Sequence, residues 1–185
     1  MSARKAVENE LSTEQILQVA RELFVVKGYH EVSMREIARK LGYSHGAIYY
    51  HFKNKAELFS NLVVQDFHLL DEKLEEIVSQ PYEVRDILLG FIQFGMMHPH
   101  HFEVMFLMKD LGELYDVQQK PMESFEKFAH YVSQVEKKFI HPQQIWSLFI
   151  SVFGFVTYYH GTEQTYEDVK GLAETHVSIL VKGIS

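Results

Sequence analysis

The densest chemistry in this chain lies between Ser33 and Lys55. Ser33, Arg35, Ser44, His45, Gly46, Tyr49, Tyr50, His51, Lys53 and Lys55 bring hydroxyls, imidazoles, cations and one side-chain-free stretch of backbone into a short run. Such groups hydrogen-bond phosphate oxygens and base edges, so the chemistry expected of them is recognition of duplex DNA. Ser44, His45, Gly46 and Tyr49 are expected at bases or nearby phosphates. Ser33, Arg35, Tyr50, His51, Lys53 and Lys55 are expected to hold the DNA backbone. No Ser/His/Asp order, phosphate-cradling glycine loop or carboxylate pair elsewhere reads as catalytic. Cysteine is absent, which excludes a disulfide framework, a thiolate nucleophile and a zinc finger. The expectation is therefore a non-enzyme with no cofactor and no metal.

Two short helices must position these groups. Ser33 with Glu36 forms a capping box that starts a helix at Met34, and Ile37, Ala38 and Leu41 repeat at helical spacing behind it. Gly42 suits the left-handed position that ends a helix. Ser44 can cap the next helix, which turns Ala47, Ile48 and Phe52 inward and leaves His45, Gly46, Tyr49, Tyr50 and His51 outside. Asn54 with Glu57 caps a third segment. Two helices around a tight turn, the second poor in core residues, describe a helix-turn-helix whose second helix enters the major groove.

Here the chain resembles the tetracycline-repressor (TetR) family. The matching residues are Ile16, Ala20, Leu23, Phe24, Gly28 and Tyr29 in a first helix, then Ser33, Ile37, Ala38, Leu41 and Gly42. The most specific run is Ala47-Ile48-Tyr49-Tyr50-His51-Phe52-Lys53-Asn54-Lys55, followed by Leu58. At motif level the resemblance covers about the first third of the chain. It implies an all-α fold, with a three-helix DNA-binding domain containing the helix-turn-helix followed by a helical regulatory and dimerisation domain. It also implies a homodimer on a palindromic operator, most simply a repressor, released when a small effector shifts the long helix that joins the two domains.

Composition and charge agree. A 185-residue chain with 46% hydrophobic and 23% charged residues is that of a globular protein. No apolar run or leader pattern suggests a membrane, so a cytoplasmic protein is expected. Residues 1–55 carry nine Lys/Arg against six Glu, a net +3, while residues 56–185 carry nine against nineteen Asp/Glu, a net −10. Basic charge is thus concentrated where phosphate would have to be neutralised. The expected organisation is a flexible tail over 1–10, in which Arg4 and Lys5 can approach DNA, a DNA-binding domain over 11–55 and a helical domain over 56–185. Helices are expected from Ser12 to Gly28, from Ala56 to about Gln80, and near 83–97, 99–108, 118–139, 143–160 and 167–182, with Pro99, Pro121 and Pro142 near three of their starts.

Two features mark the acidic part. The segment from Phe91 to Met108 and the helix around 145–160 are rich in Met and aromatic residues, which adapt to flat apolar ligands. The candidate ligand residues are Phe91, Phe94, Met97, His101, Phe102, Met105, Trp146, Phe149 and Phe153. An alternative reading is a helical ligand-binding or metal-dependent protein using His98, His100 and His101, with Glu103 and His160 completing a site. Pro99 opposes it by placing His98 outside the helix that carries His101. Second, nearly every position from Ile145 to Tyr159 is apolar, so that helix needs burial all round. Ile145, Leu148, Val152, Val156, Tyr159, Leu172, Val177 and Leu180 are expected at an interface with a second copy, where Gly154 would permit close approach.

Overall fold

Ser12 and Gln15 cap each other's backbone and start α1, Thr13–Lys27. Ser33 Oγ accepts from Glu36 N and starts α2, Met34–Leu41, which Gly42 ends at φ +75°. Ser44 Oγ accepts from Ala47 N and starts α3, His45–His51. Asn54 Oδ1 accepts from Glu57 N (2.8 Å) at the head of the 24-residue α4, Lys55–Val78. The remaining helices are α5 (Val84–Met97), α6 (Pro99–Phe102), α7 (Lys120–Val135), α8 (Pro142–Tyr159) and α9 (Tyr166–Lys182). This computed structural model describes residues 11–108, 117, 119–135 and 140–184. The expected tail at 1–10, with Arg4 and Lys5, lies outside them, as do residues 118 and 136–139 of the helix expected over 118–139. The described residues are helical or in connecting turns, with no strand, and none of their helices is long and apolar enough to cross a membrane.

The helix expected over 99–108 is two elements. After one α-helical turn the backbone widens into a π-helical segment, Glu103–Leu107, closed by Met108 N donating to Glu103 O (3.0 Å). Hydrophobic spacing does not distinguish such a turn from an α-helix, because both keep the same side roughly inward.

The chain divides into two compact units, residues 1–62 and 63–185. The division falls within α4, not after Lys55 as expected, because the first turns of α4 complete the core of the first unit. Phe59 is fully buried, with ring centroids 5.2 Å from Phe24 and 4.9 Å from Tyr29. Ile16, Ala20, Phe24, Ile37 and Ile48 are likewise sealed from solvent.

The second unit is organised around α5, which packs against α7, α8 and α9. Gly95 makes the α5–α8 approach possible: a Cβ there would come within 2.5 Å of Val156 Cγ1 and 3.0 Å of Phe102. Gly154, expected to serve a close approach, has nothing within 4 Å of its Cβ direction in its own subunit. Phe91 is the hub of the aromatic core, with rings of Phe102, Phe106, Phe128 and Phe149 at 5.4–6.3 Å.

Candidate DNA-contacting surface and ligand cavity

In the first unit, α3 is held by few residues and presents many. Ile48 is fully buried and Phe52, the residue that ends the helix, is 3% exposed. Those two anchors fix the helix and leave its other side to solvent. Tyr49 is 43% and Tyr50 87% exposed, which for a ring this size has an unfavourable apolar cost unless a ligand covers it. His45 lies edge-on to Tyr49 at 4.5 Å, so the two present a joined surface. An added Cβ at Gly46 would meet only Ser44 Oγ, at 3.9 Å, which leaves the start of the helix open to close approach. His51 is turned partly inward, its Nδ1 3.4 Å from Thr13 Oγ1.

Ser33, Arg35, His45, Tyr49 and Lys55 come together on one open cleft of about 430 Å³. His30, Glu31 and Met34 line the same cleft without having been singled out in the sequence. No spacing signal points to His30 or Glu31, which reach the cleft because the chain turns back after Gly28. Tyr50, His51 and Lys53 lie outside that cleft lining, although Tyr50 and Lys53 are exposed.

Charge in this unit is selectively neutralised. Lys27 bonds Glu36 (2.5 Å) and Lys40 bonds Glu22 (2.8 Å). The Lys27 ammonium is the main reason the Glu36 carboxyl is held below its usual pKa. Lys55 behaves differently from a surface cation. Its ammonium donates to the carbonyls of Tyr29 (2.8 Å) and His30 (3.2 Å) and lies 4.4 Å from the Tyr29 ring centroid. Burial pushes its pKa down, opposed by the Glu31 carboxylate. Lys55 therefore pins the start of α4 to the loop after α1. Arg35, Arg39 and Lys53 remain exposed, and Arg39 has Glu36 only at 3.8 Å.

In the second unit the nine candidate ligand residues separate into four groups. Phe91, Phe94, Phe102 and Met105 are at most 4% exposed and pack in the unit's core. Met97 lies at the exposed end of α5, where it lines a groove with Leu69, Phe94 and His98. His101 Nδ1 donates to Asp66 Oδ1 at 3.0 Å, supplying the partner that a fully buried carboxylate requires. Trp146, Phe149 and Phe153 instead line an open cavity of about 290 Å³ with Phe106, Pro121, Met122, Phe125 and Ile150. Met122 and Phe125 were legible only as an i, i+3 apolar pair on α7, a pattern equally suited to core packing.

The histidine cluster is not gathered into one site. His101 is engaged by Asp66, and His160 Nε2 is 3.1 Å from Glu103 Oε2 as a separate pair. Among the described residues no group of three His, Cys, Asp or Glu is placed to hold a metal.

The residues expected at a subunit interface need correction. Ile145, Leu148, Val152, Val156 and Val177 are at most 6% exposed within their own subunit and face its core. An all-apolar helix hides which side is the inner one, and the structure resolves it: the inner stripe of α8 is 145, 148, 149, 152 and 156. The outer residues are Ile150 (49%) and Tyr158 (77%) on α8, with Leu172 (54%) and Ile179 (64%) on α9. Tyr159 and Leu180 are partly exposed.

Residues 16–62 match the family model described as bacterial regulatory proteins, tetR family. The HTH-type transcriptional regulator SrpR of Pseudomonas putida is 23% identical over 137 residues, 73% of this chain and 64% of SrpR. The HTH-type transcriptional regulator UidR of Escherichia coli (strain K12) is 30% identical over 102 residues, 46% of this chain and 52% of UidR. The matched stretch thus spans about half to two-thirds of these relatives' length. The transcriptional regulator FadR of Bacillus subtilis, solved in complex with stearoyl-CoA, shares the fold with a TM-score of 0.72 at 21% identity, covering 94% of this chain and all of that one. With the helix-turn-helix of α2 and α3 lying inside the matched residues, residues 16–62 form a DNA-binding domain of the tetR-family type.

Proposed function

We propose that this protein is a dimeric, ligand-responsive transcriptional repressor. The observation that carries the reading is α3: two buried anchors, Ile48 and Phe52, support a row of exposed hydrogen-bonding groups at Ser44, His45, Gly46, Tyr49 and Tyr50. His45 and Tyr49 are assigned to base edges, and Ser33, Arg35, Tyr50, His51 and Lys53 to phosphates. Lys55 acts chiefly by fixing the start of α4. A two-fold dimer would set two α3 helices about 34–36 Å apart in successive major grooves of a palindrome. The exposed apolar residues Tyr158, Leu172 and Ile179, with Tyr159 and Leu180, are assigned to that dimer contact.

The effector is assigned to the aromatic cavity lined by Phe106, Phe125, Trp146, Phe149 and Phe153. The likeness to FadR, which was solved with stearoyl-CoA, supports a ligand-holding role for the second unit. Derepression requires that the ligand prefer the conformation less able to bind DNA. Because α4 runs without a break from Lys55 to Val78, its residues belong to both units, and it is the element assigned to carry the change.

Selection of genomic fragments on purified protein at low salt tests the reading. Enrichment of a two-fold symmetric sequence, bound one dimer or more per site and weakening steeply with salt, is the expected result. Recovery of no sequence would overturn it.

A further inference from the structure

We infer that the aromatic cavity on α7 and α8 selects a lipophilic organic cation, an assignment that rests on its role as the effector site. Its walls are largely aromatic: Phe106, Phe125, Trp146, Phe149 and Phe153 are five of its eight described lining residues. Trp146, Phe149 and Phe153 follow at i, i+3 and i+7 along α8, with planes only 22° and 21° apart between neighbours. Phe125 stands edge-on to Trp146 at 4.4 Å, and Phe106 crosses Phe153 at 77° and 5.6 Å. Met122, Pro121 and Ile150 complete the lining. Apart from the Trp146 indole N–H, no side chain among the described lining residues can make a conventional hydrogen bond or carry charge. A ring face is negative, so aromatic walls with a single N–H donor favour a diffuse cation over a carboxylate.

The surroundings exclude an anion for a second reason. Helix α8 has no charged residue in its 18 positions. The two lysines of α7 are turned to another pocket, lined with Val64, Phe67 and His68, where Lys120 bonds Glu123 and Lys127 bonds Asp71. Glu126, next in sequence to Phe125, stays exposed. Residues 56–185 carry a net charge of −10, so long-range attraction also favours a cation. The stearoyl-CoA of FadR is an anionic ligand, and none of the described residues lining this cavity is cationic. The size of the cavity, about 290 Å³, suits two rings and a small ammonium group better than a long chain.

The chain has a single tryptophan, Trp146, so its emission reports on this cavity alone. The test titrates the full-length protein with three probes of one shape: a biphenylmethyl-trimethylammonium cation, the neutral neopentyl isostere with carbon in place of nitrogen, and biphenylacetate. The cation is expected to bind about 5- to 30-fold more tightly than the neutral isostere, with biphenylacetate weakest. Phe125→Leu keeps apolar bulk and removes a ring face at a part-exposed position. It is expected to narrow the cation's advantage while the neutral isostere keeps its affinity to within about twofold. Equal or tighter binding of the neutral isostere, or tightest binding of biphenylacetate, overturns the cation assignment and leaves the effector site standing. If no probe alters Trp146 emission or binds by calorimetry, the effector site itself is wrong.

Discussion

Helices α3 and α8 draw on overlapping residue types and use them in opposite senses. In α3, seven residues long, Ile48 alone is buried within the helix and the rings of Tyr49 and Tyr50 face solvent. In α8, Ile145, Leu148, Phe149, Val152 and Val156 are buried, and Phe149 meets Phe91, Phe125 and Phe128. What separates them is the number of anchors behind each helix. A helix with one internal anchor and a capping residue at each end is a display surface. A helix with five is a core element whose leftover rings form cavities and contact faces. The same contrast runs through charge, with the net +3 of residues 1–55 set against the net −10 of residues 56–185.

The largest effects should come from breaking the core side of the contrast. Phe91→Ala removes a ring that is 2% exposed and touches four others. A loss of about 3–5 kcal/mol in urea unfolding is expected, and a loss below about 1 kcal/mol would mean that the aromatic cluster is loosely packed. Next in size is the outer face of α9. Ile179→Lys places a charge on a 64% exposed residue, so the subunit should fold normally. Burying that charge in a dimer would weaken self-association at least about 100-fold. Sedimentation at micromolar concentration checks it, and an unchanged dimer would move the interface elsewhere.

The display side predicts effects on DNA without effects on folding. Tyr49→Ala should weaken operator binding about 10- to 100-fold, the range of one good base contact, while changing stability by less than about 0.5 kcal/mol, as for an exposed position. Lys55 is the exception within this unit and sharpens the contrast. Lys55→Met should cost about 1–3 kcal/mol of stability, because the Tyr29 and His30 carbonyls lose their donor. It should leave the salt dependence of DNA binding nearly unchanged. A salt slope lower by about one would instead make Lys55 a phosphate contact.

The uneven number of anchors also explains what could be read from the chain. Caps are local, so Ser12, Ser33, Ser44 and Asn54 gave the starts of α1 to α4 directly. The display surface was legible for the same reason, since the few inward residues of α3 leave little ambiguity about which ones face out. In α8 the apolar pattern has no polar side to orient it, and residues of the inner stripe were assigned to a subunit contact. Gly95 and Gly154 were indistinguishable as sequence, yet Gly95 lies against Val156 and Gly154 faces open space. Lys55 read as a phosphate cation because its carbonyl partners lie 25 and 26 residues away, a separation no local pattern encodes. The π-helical turn at Glu103–Leu107 was hidden because its hydrophobic register imitates an α-helix.

The smallest expected effect belongs to the α5–α6 junction of the second unit. The His98 ring lies against Phe94 (5.1 Å) and His101 (5.5 Å). Partial burial, then repulsion from His101, hold its pKa below the usual histidine value, with the Asp66 carboxylate opposing both. The folded chain therefore takes up this proton less readily than the unfolded chain, whose histidine titrates near about 6.5. The unfolded state binds more protons as pH falls below that value, so stability is intact above it and declines as pH drops through the lowered folded value. His98→Gln removes the group and should flatten the melting temperature measured between about pH 7.5 and pH 5. The flattening should be slight, because His98 is only partly buried and water screens its interactions. It should also appear in thermal melts without altering operator affinity at neutral pH, since His98 lies in the acidic unit, away from the display helix in sequence and in unit. A loss of DNA binding in that variant would show that the junction communicates with α3, and the division of labour between the two helices would then be incomplete.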